Sequence, residues 1–221
     1  MTEVIELRQY TLHPGRRDVL IELFDREFVE SQEAEGMRIL GQFRDLDEPD
    51  HFVWMRSFPD MPKRAEALTS FYTGPAWKAN SAAANATMIA VDNVLLLRPT
   101  GPGTAFRLDE AVRDTPAGSL VVATIHHLPE PPDDDQVRFF DSTMLPLVKE
   151  AGGTPIALLQ TEYAENNFPQ LPVRTGEHVL LHLASFPDEQ AHARHVELTG
   201  GVLPDTVERL RLSPTDRSML R

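Results

Sequence analysis

Cysteine is absent from this sequence of 221 residues, and the absence excludes several kinds of chemistry. The chain can form no disulfide, no zinc site of the CxxC kind and no thiolate nucleophile. A lack of cysteine is also typical of proteins from a reducing compartment. Charged residues within the first eight positions are untypical of a signal peptide, so we expect a cytoplasmic protein.

Positive charge is scarce as well. The sequence has 21 lysines and arginines against 34 aspartates and glutamates, which gives a net charge of -13. Nucleic-acid binding depends on clustered cations that neutralise phosphates, so we expect no nucleic-acid partner. No apolar run approaches the roughly 20 residues that a membrane-spanning helix needs, so we expect no membrane span.

Motifs of several common enzyme classes are also missing. The sequence contains no dinucleotide-binding glycine motif, no P-loop, no α/β-hydrolase nucleophile elbow and no zincin motif. We therefore expect no metal and no cofactor. Haem is included in that expectation, because the histidines are better placed to line a cavity than to provide one proximal ligand.

Strand and helix periodicities alternate in the first hundred residues. Patterns typical of strands occur at 4–12, 37–46, 51–58 and 91–99, and patterns typical of helices occur at 16–36 and 59–87. The predicted order is βαββαβ, which is the order of the ferredoxin-like fold. Such a fold has its helices on one face of a four-stranded antiparallel sheet and leaves the other face bare.

The same order begins again after residue 118. Strand patterns recur at 119–128, 154–163, 177–186 and 207–213, with helical patterns after Asp133 and after Pro187. We predict an α+β chain with one repeat at 1–99, a linker at 100–118 and a second repeat at 119–221. Two bare sheet faces would bury each other. We therefore expect a barrel-like pair of sheets with helices outside and a cavity between the sheets.

Several motifs carry a family resemblance. The sequence at 5–15, 52–61, 70–79 and 82–99, and at 165–177 and 211–221, resembles the NIPSNAP family of the dimeric α/β-barrel superfamily. The resemblance implies the tandem ferredoxin-like fold, a dimeric-α/β-barrel-type arrangement and a tendency to form homo-oligomers. It implies no defined activity, because the wider superfamily includes cofactor-independent monooxygenases, isomerases and haem-binding enzymes.

The first candidate site lies on two predicted central strands. Glu6, Arg8 and Tyr10 share one strand face, as do Trp54 and Arg56. We expect this polar face to point into the cavity and to hold an anionic or carbonyl-bearing small molecule, with Arg8 as the anchor. Two structural interpretations stay open. Glu6 and Arg8 could form a simple ion pair, and Trp54 could pack under the helices while Arg56 pairs with Asp60.

The second candidate site is formed by histidines of the second repeat. His178 and His182 share a strand face, and either His126 or His127 lies on the neighbouring strand with the same orientation. The α-carbons of His178 and His182 should be about 13 Å apart, which is too far to bind one metal ion. We interpret these histidines as general bases, as ligand contacts or as polar lining. His192 and His195 are expected on the surface.

Two further segments are candidates for closing the site. The long loop at 164–176, which contains Arg174, is predicted to close one barrel end or to reach a partner subunit. Tyr72 and Trp77 could form a lid or a packed helix end.

Two functional hypotheses remain, and the sequence leaves open whether the chain is an enzyme. The first is a cofactor-independent monooxygenase or isomerase. Its catalytic residues would be Tyr10, His126 and His182, and its ligand-binding residues Glu6, Arg8, Trp54, Arg56, His178 and Arg174. The second is a non-catalytic ligand-binding or assembly module. A cavity with converging polar groups favours the first hypothesis, and a barrel filled with side chains favours the second.

Overall fold

The structure of the chain is a computed structural model that describes residues 3–102, 104, 106, 108, 118–200 and 207–221. The first repeat contains β1 (Val4–Leu12), α1 (Arg17–Leu23), α2 (Val29–Glu33), β2 (Arg38–Asp45), β3 (His51–Phe58), α3 (Met61–Thr73), α4 (Pro75–Asn85) and β4 (Met88–Pro99). A π-helical turn, Phe24–Phe28, joins α1 to α2. The predicted linker, 100–118, falls mostly outside the described residues, and the repeat boundaries stay a prediction.

The second repeat follows the same order. It contains β5 (Leu120–Leu128), α5 (Asp134–Phe139), α6 (Leu145–Glu150), β6 (Thr154–Thr161), β7 (His178–Phe186), α7 (Glu189–Thr199) and β8 (Val207–Pro214). Asp133 caps α5 through a reciprocal pair of hydrogen bonds with Gln136. A π-helical turn, Phe140–Met144, again interrupts the first helix of the repeat, directly before Pro146 in α6.

The eight strands form one closed antiparallel barrel in the order β1-β3-β2-β8-β5-β7-β6-β4. Each repeat contributes four adjacent strands, which confirms the tandem ferredoxin-like arrangement. The two four-stranded sheets face each other and join at two short seams. Phe43–Asp45 of β2 pairs with Leu212–Pro214 of β8, and Leu97–Pro99 of β4 pairs with Leu159–Thr161 of β6.

The barrel interior is filled with apolar side chains. Every strand contributes to it, and Ile5 and Leu7 of β1 are among its members. An eight-stranded barrel has an interior just wide enough for side chains to fill, so this packing is the expected outcome of closure. The expectation of a ligand cavity between the sheets was therefore wrong. The polar face of β1, with Glu6, Arg8 and Tyr10, points outward and is covered by helices.

The helices pack on the outside of the barrel. In the first repeat Phe24, Phe28, Leu68 and Phe71 cover the outer faces of β1 and β3 and form a second apolar cluster there. The helices of the second repeat cover β5 and β7 in the same way. Both faces of the central strands are consequently buried. Within the described part of the chain, no helix is long and apolar enough to cross a membrane.

Candidate functional site

Four charged side chains are buried together under the helices of the first repeat. Glu6 of β1 accepts hydrogen bonds from Arg8 Nη1 at 2.8 Å, from Arg56 Nε at 2.8 Å and from Arg64 Nε at 2.7 Å. All four side chains are fully buried. Glu6 is thus the counter-charge of three arginines. The alternative pairing of Arg56 with Asp60 was wrong, because Asp60 instead accepts a hydrogen bond from the Lys63 amide and caps α3.

This charge cluster carries a net charge of +2, since three guanidinium groups surround one carboxylate. Burial alone would raise the pKa of the Glu6 carboxyl, but Arg56, Arg8 and Arg64 hold that pKa well below its usual value. Glu6 is therefore ionised at neutral pH and too weak a base to remove a proton from a substrate. The cluster provides a fixed positive field inside a protein whose overall charge is -13.

A cavity of about 100 Å³ lies beside the charge cluster, between the outer face of the sheet and the helices. Its wall is mostly aromatic. The lining residues are Tyr10, Leu20, Phe24, Phe28, Gln32, Trp54, Phe71, Tyr72, Trp77, Asn85, Met88, Val91 and Leu171. None of these described lining residues is a carboxylate, a histidine or a lysine. The polar groups of the wall are therefore few: two tyrosines, two tryptophans and two amides.

Two buried donors at this site have no hydrogen-bond partner among the described atoms. They are Arg8 Nη2 and the indole nitrogen of Trp54. Arg56 Nη2 and Arg64 Nη2 also lack a hydrogen bond of good geometry, but they lie 2.8 and 2.7 Å from the Glu6 carboxylate and are paired with it. Arg8 and Trp54 are directly opposite each other in the register of β1 and β3. Buried donors are almost always paired, so Trp54 in the cavity wall and Arg8 behind it call for an acceptor from outside the chain, either a water molecule or a ligand.

Tyr10 adds a third donor. Its hydroxyl accepts a hydrogen bond from Arg8 Nε at 3.0 Å, which leaves the hydroxyl proton available for a ligand. The Tyr10 ring packs edge-on against Trp54 with ring centroids 5.8 Å apart. Burial raises the pKa of Tyr72, so this second tyrosine in the wall also stays a neutral donor. The arrangement is suited to holding negative charge and unsuited to general-base chemistry.

Sequence reasoning missed Arg64 and Gln32 as parts of this site. Arg64 belongs to the buried stripe of α3 with Ala67, Leu68 and Phe71, and Gln32 is buried below the π turn, where its side chain accepts from Arg56 Nη1 at 2.8 Å. A polar or charged residue at the helical spacing of an apolar stripe was the signal that could have identified both. Tyr72 and Trp77, considered as a lid or a packed helix end, line the cavity.

The long loop of the second repeat reaches the first repeat. Phe168 stacks on Tyr72 with ring centroids 5.8 Å apart, and Leu171 lines the cavity. Asn166 and Asn167 both accept hydrogen bonds from Arg64 Nη1, at 3.0 and 2.8 Å. The loop was predicted to close a barrel end or to contact a partner subunit. Within its own chain it contacts the charge cluster through Arg64, and the contact with a partner subunit stays a prediction.

The histidines of the second repeat lie on the other half of the barrel surface. His126 Nε2 and His182 Nδ1 are 3.3 Å apart, and the His195 ring centroid is 6.1 Å from that of His182. His126 therefore has the orientation of His182, and His127 does not. His192 and His195 are only 7% and 5% exposed, so their expected surface position was wrong. They lie on the buried face of α7.

Register relates the two repeats position by position. Arg8 is opposite Trp54 in the first repeat, and Thr124 is opposite His182 in the second. In the second repeat His126 and His182 thus correspond to Tyr10 and Trp54. By the same register the positions of Glu6, Arg8 and Arg56 are occupied by Val122, Thr124 and Ala184. The second repeat therefore lacks the charge cluster at its corresponding site.

The predicted site residues consequently fall into separate groups. Glu6, Arg8, Tyr10, Trp54 and Arg56 come together. His126 and His182 lie under the helices of the second repeat and do not line the cavity beside Arg8. The prediction of a single cavity that combines Arg8, Tyr10 and a histidine was therefore wrong.

His178 and Arg174 are also apart from that cavity. His178 Nδ1 is 3.0 Å from the Tyr163 hydroxyl, and Arg174 donates from Nε to Glu177 at 2.8 Å. Both line a cavity of about 490 Å³ formed mainly by the loop itself.

Burial lowers the pKa of His126 and of His195 to about 4 each, and it lowers the pKa of His182 well below its usual value. The three imidazoles are therefore neutral at pH 7. Across the described ranges, no group of three or more His, Asp or Glu side chains is arranged to hold a metal ion.

Comparison with known proteins assigns the first repeat to a family. Residues 5–101 match the NIPSNAP family model. The resemblance to this family noted from the sequence is thus confirmed over residues 5–101. No curated protein matches the chain.

Two solved structures share the fold over nearly the whole chain. A candidate monooxygenase from Fusobacterium nucleatum has a TM-score of 0.61 at 10% identity, covering 96% of this chain and 92% of its own. A candidate monooxygenase from Lactobacillus acidophilus has a TM-score of 0.58 at 14% identity, covering 97% of this chain and 94% of its own. At these identities the likeness concerns the fold alone.

Proposed function

We propose that the cavity of the first repeat binds a small anionic or carbonyl-bearing molecule and stabilises its negative charge. The observation that carries this proposal is the pair of unpartnered buried donors, Arg8 Nη2 and Trp54 Nε1, beside a cluster with a net charge of +2. A carboxylate, an enolate or a phenolate would accept from these donors and from Tyr10. Charge-assisted hydrogen bonds of this kind are stronger than neutral ones.

The size and the wall of the cavity limit the ligand further. A cavity of about 100 Å³ with an aromatic wall suits a molecule no larger than a single substituted ring. An apolar body would contact Phe24, Phe28 and Phe71, while the charged end would lie at Tyr10 and Trp54.

For an enzymatic role, we propose cofactor-independent oxygenation rather than isomerisation. Isomerisation by proton transfer needs a base, and the described lining residues include no group that could act as one at neutral pH. Oxygenation of a phenol or enol that ionises readily needs a site that stabilises the anion, which this cavity offers. Dioxygen would supply one oxygen atom to the substrate, while its second oxygen and two substrate hydrogens would leave as water. The two solved structures of this fold named as candidate monooxygenases are in keeping with this role.

Titrating the protein with carboxylates from acetate to benzoate tests the binding proposal. Each carboxylate is compared with the neutral amide of the same acid. We expect the acids to bind and the amides to bind at least about tenfold more weakly, because the amides bring no charge to the donors. Arg8→Lys should weaken benzoate binding about tenfold or more, since lysine keeps the charge but cannot contact Glu6, Tyr10 and a ligand at once. Isothermal titration calorimetry provides the affinities.

Arg44→Lys is the matched control, because Arg44 forms an ion pair with Asp18 on the surface, and its benzoate affinity should equal that of the wild type. Equal benzoate affinity in wild type and Arg8→Lys, with a stability loss in Arg8→Ala, would show that Arg8 is only structural. The alternative function is non-catalytic binding. Oxygen consumption with hydroquinone, and a product that has gained one oxygen and lost two hydrogens, distinguishes an enzyme from a binding module.

A further inference from the structure

We infer that loop 162–176 of the second repeat forms the part of the ligand site in the first repeat that selects ligands by size. This inference rests on the proposed function and adds to it a named set of size-determining residues. Leu171 is part of the cavity wall, and Phe168 stacks on Tyr72, which is also part of the wall. These two loop residues therefore limit how large a ligand can be.

The two ends of the loop are fixed to β4. The Glu162 amide donates to the Leu96 carbonyl at 2.9 Å, and the Arg174 amide donates to the Val94 carbonyl at 2.9 Å. The part between these anchors reaches further into the first repeat, where it contacts α3 and the cavity. Inside the loop, Asn166 Nδ2 donates to the Leu171 carbonyl at 2.9 Å, so the segment that holds Leu171 has an internal hydrogen bond of its own.

Arg64 holds the loop in place. Its Nη1 donates to Asn166 and to Asn167, and Asn167 Nδ2 in turn donates to the Met61 carbonyl at 2.6 Å. Arg64 is thus a positioning residue, because it contacts the loop rather than the cavity. We call Arg64, Asn166 and Asn167 the latch.

The latch shares its counter-ion with the ligand anchor. Arg64 Nε donates to Oε1 of Glu6, while Arg8 Nη1 donates to Oε2 of the same carboxylate. A ligand that draws Arg8 toward the cavity changes the electrostatic environment of Glu6 and hence of Arg64. Loop position and anion binding are therefore coupled through one buried carboxylate.

A different role follows for each repeat. At the positions of Glu6, Arg8 and Arg56 the second repeat has Val122, Thr124 and Ala184, so it offers no equivalent anion site. Its contribution to recognition is the loop.

Size selectivity is the first test. In Leu171→Ala, the affinity ratio of para-methylbenzoate to benzoate should rise about tenfold, because the lost side chain makes room for the methyl group. Val173→Ala is the matched control, since Val173 belongs to the same loop but lines the other cavity, and its affinity ratio should equal that of the wild type.

In the double variant Asn166→Ala and Asn167→Ala, benzoate should dissociate about tenfold faster in stopped-flow measurements. If the variants bind benzoate with the affinity ratio and the dissociation rate of the wild type, the inference is overturned and the proposed function stays intact.

Amide hydrogen exchange of the free protein is the second test, and it needs no ligand. The latch double variant should exchange the Leu171 amide, which donates to the Phe168 carbonyl, faster than the wild type, because the loop loses its contacts with Arg64. The Phe168 amide is not used as a readout, since its own acceptor is the Asn166 side chain. The Glu162 amide, bonded to β4, should exchange at the wild-type rate. If no probe binds to the wild type, the proposed function fails. Unchanged exchange at the Leu171 amide shows that the latch does not hold the loop, and it overturns the inference whether or not a probe binds.

Discussion

Replacing Glu6 with glutamine is expected to lower the free energy of unfolding by about 3–5 kcal/mol, the range found when one partner of a buried ion pair is removed. Glu6 is the carboxylate that faces Arg8, Arg56 and Arg64 in the buried cluster, and all four side chains are fully buried. Glutamine keeps the size but removes the negative charge, so three cations would remain without a counter-ion. Urea unfolding at neutral pH measures the loss.

Two further variants separate charge from packing in that experiment. Glu66→Gln removes an exposed carboxylate that pairs with Lys63, and it should leave stability unchanged. Adding Arg56→Met to Glu6→Gln removes one of the uncompensated cations, and it should restore part of the lost stability. A Glu6→Gln variant within about 1 kcal/mol of the wild type would contradict the view that Glu6 compensates the buried arginines.

The strands were the most predictable part of the fold. The predicted bounds of the strands at 4–12 and 51–58 are those of β1 and β3, and the alternation along β1 separated Ile5 and Leu7 from Glu6, Arg8 and Tyr10 as the structure does. Strand alternation has a period of two, and so it assigns side chains to two faces reliably.

Alternation could not decide which face is the inner one. In a barrel covered by helices both faces of β1 are buried, so the usual contrast between a core face and a solvent face is missing. The polar face was assigned to a cavity between the sheets because polar residues were expected to face a ligand. Barrel closure overturns that assignment, since the interior of eight strands is filled by residues such as Leu7 and Met55.

The buried histidines were missed for a related reason. His192, His195 and Thr199 lie at spacings of three and four on the inner face of α7, where apolar residues are expected. Helical spacing places them on one face, but the polar character of the residues suggested solvent. Neutral imidazole is the form that tolerates burial, and whether it is neutral depends on neighbours that the sequence does not reveal.

Those histidines predict a loss of stability in mild acid. Burial lowers the pKa of His126 and His195 to about 4 and depresses that of His182 further, whereas in the unfolded chain histidine has its ordinary value of 6.5. Below the ordinary value the unfolded state binds protons that the folded state does not, so their stabilising contribution is present above pH 6.5 and is lost as the pH falls toward 4. Between about pH 6.5 and pH 5 the loss is about 1.6 kcal/mol for each of His126 and His195.

The double variant His126→Leu and His182→Leu tests this origin of the acid sensitivity. Its free energy of unfolding should fall by at least about 1.6 kcal/mol less than that of the wild type over the same pH interval, which is the part that belongs to His126, as measured by urea unfolding. Burial raises the pKa of Asp25 to about 6, and this group acts in the opposite direction, because its folded form takes up a proton first. The contribution of Asp25 to the pH dependence is the same in the variant and the wild type, so it cancels in the comparison. The contribution of Glu6 cancels as well, because its depressed pKa keeps it ionised throughout.

His13→Gln, at an exposed position, is the control, and its pH profile of stability should follow that of the wild type. Parallel pH profiles for the double variant and the wild type would exclude the buried imidazoles as the cause.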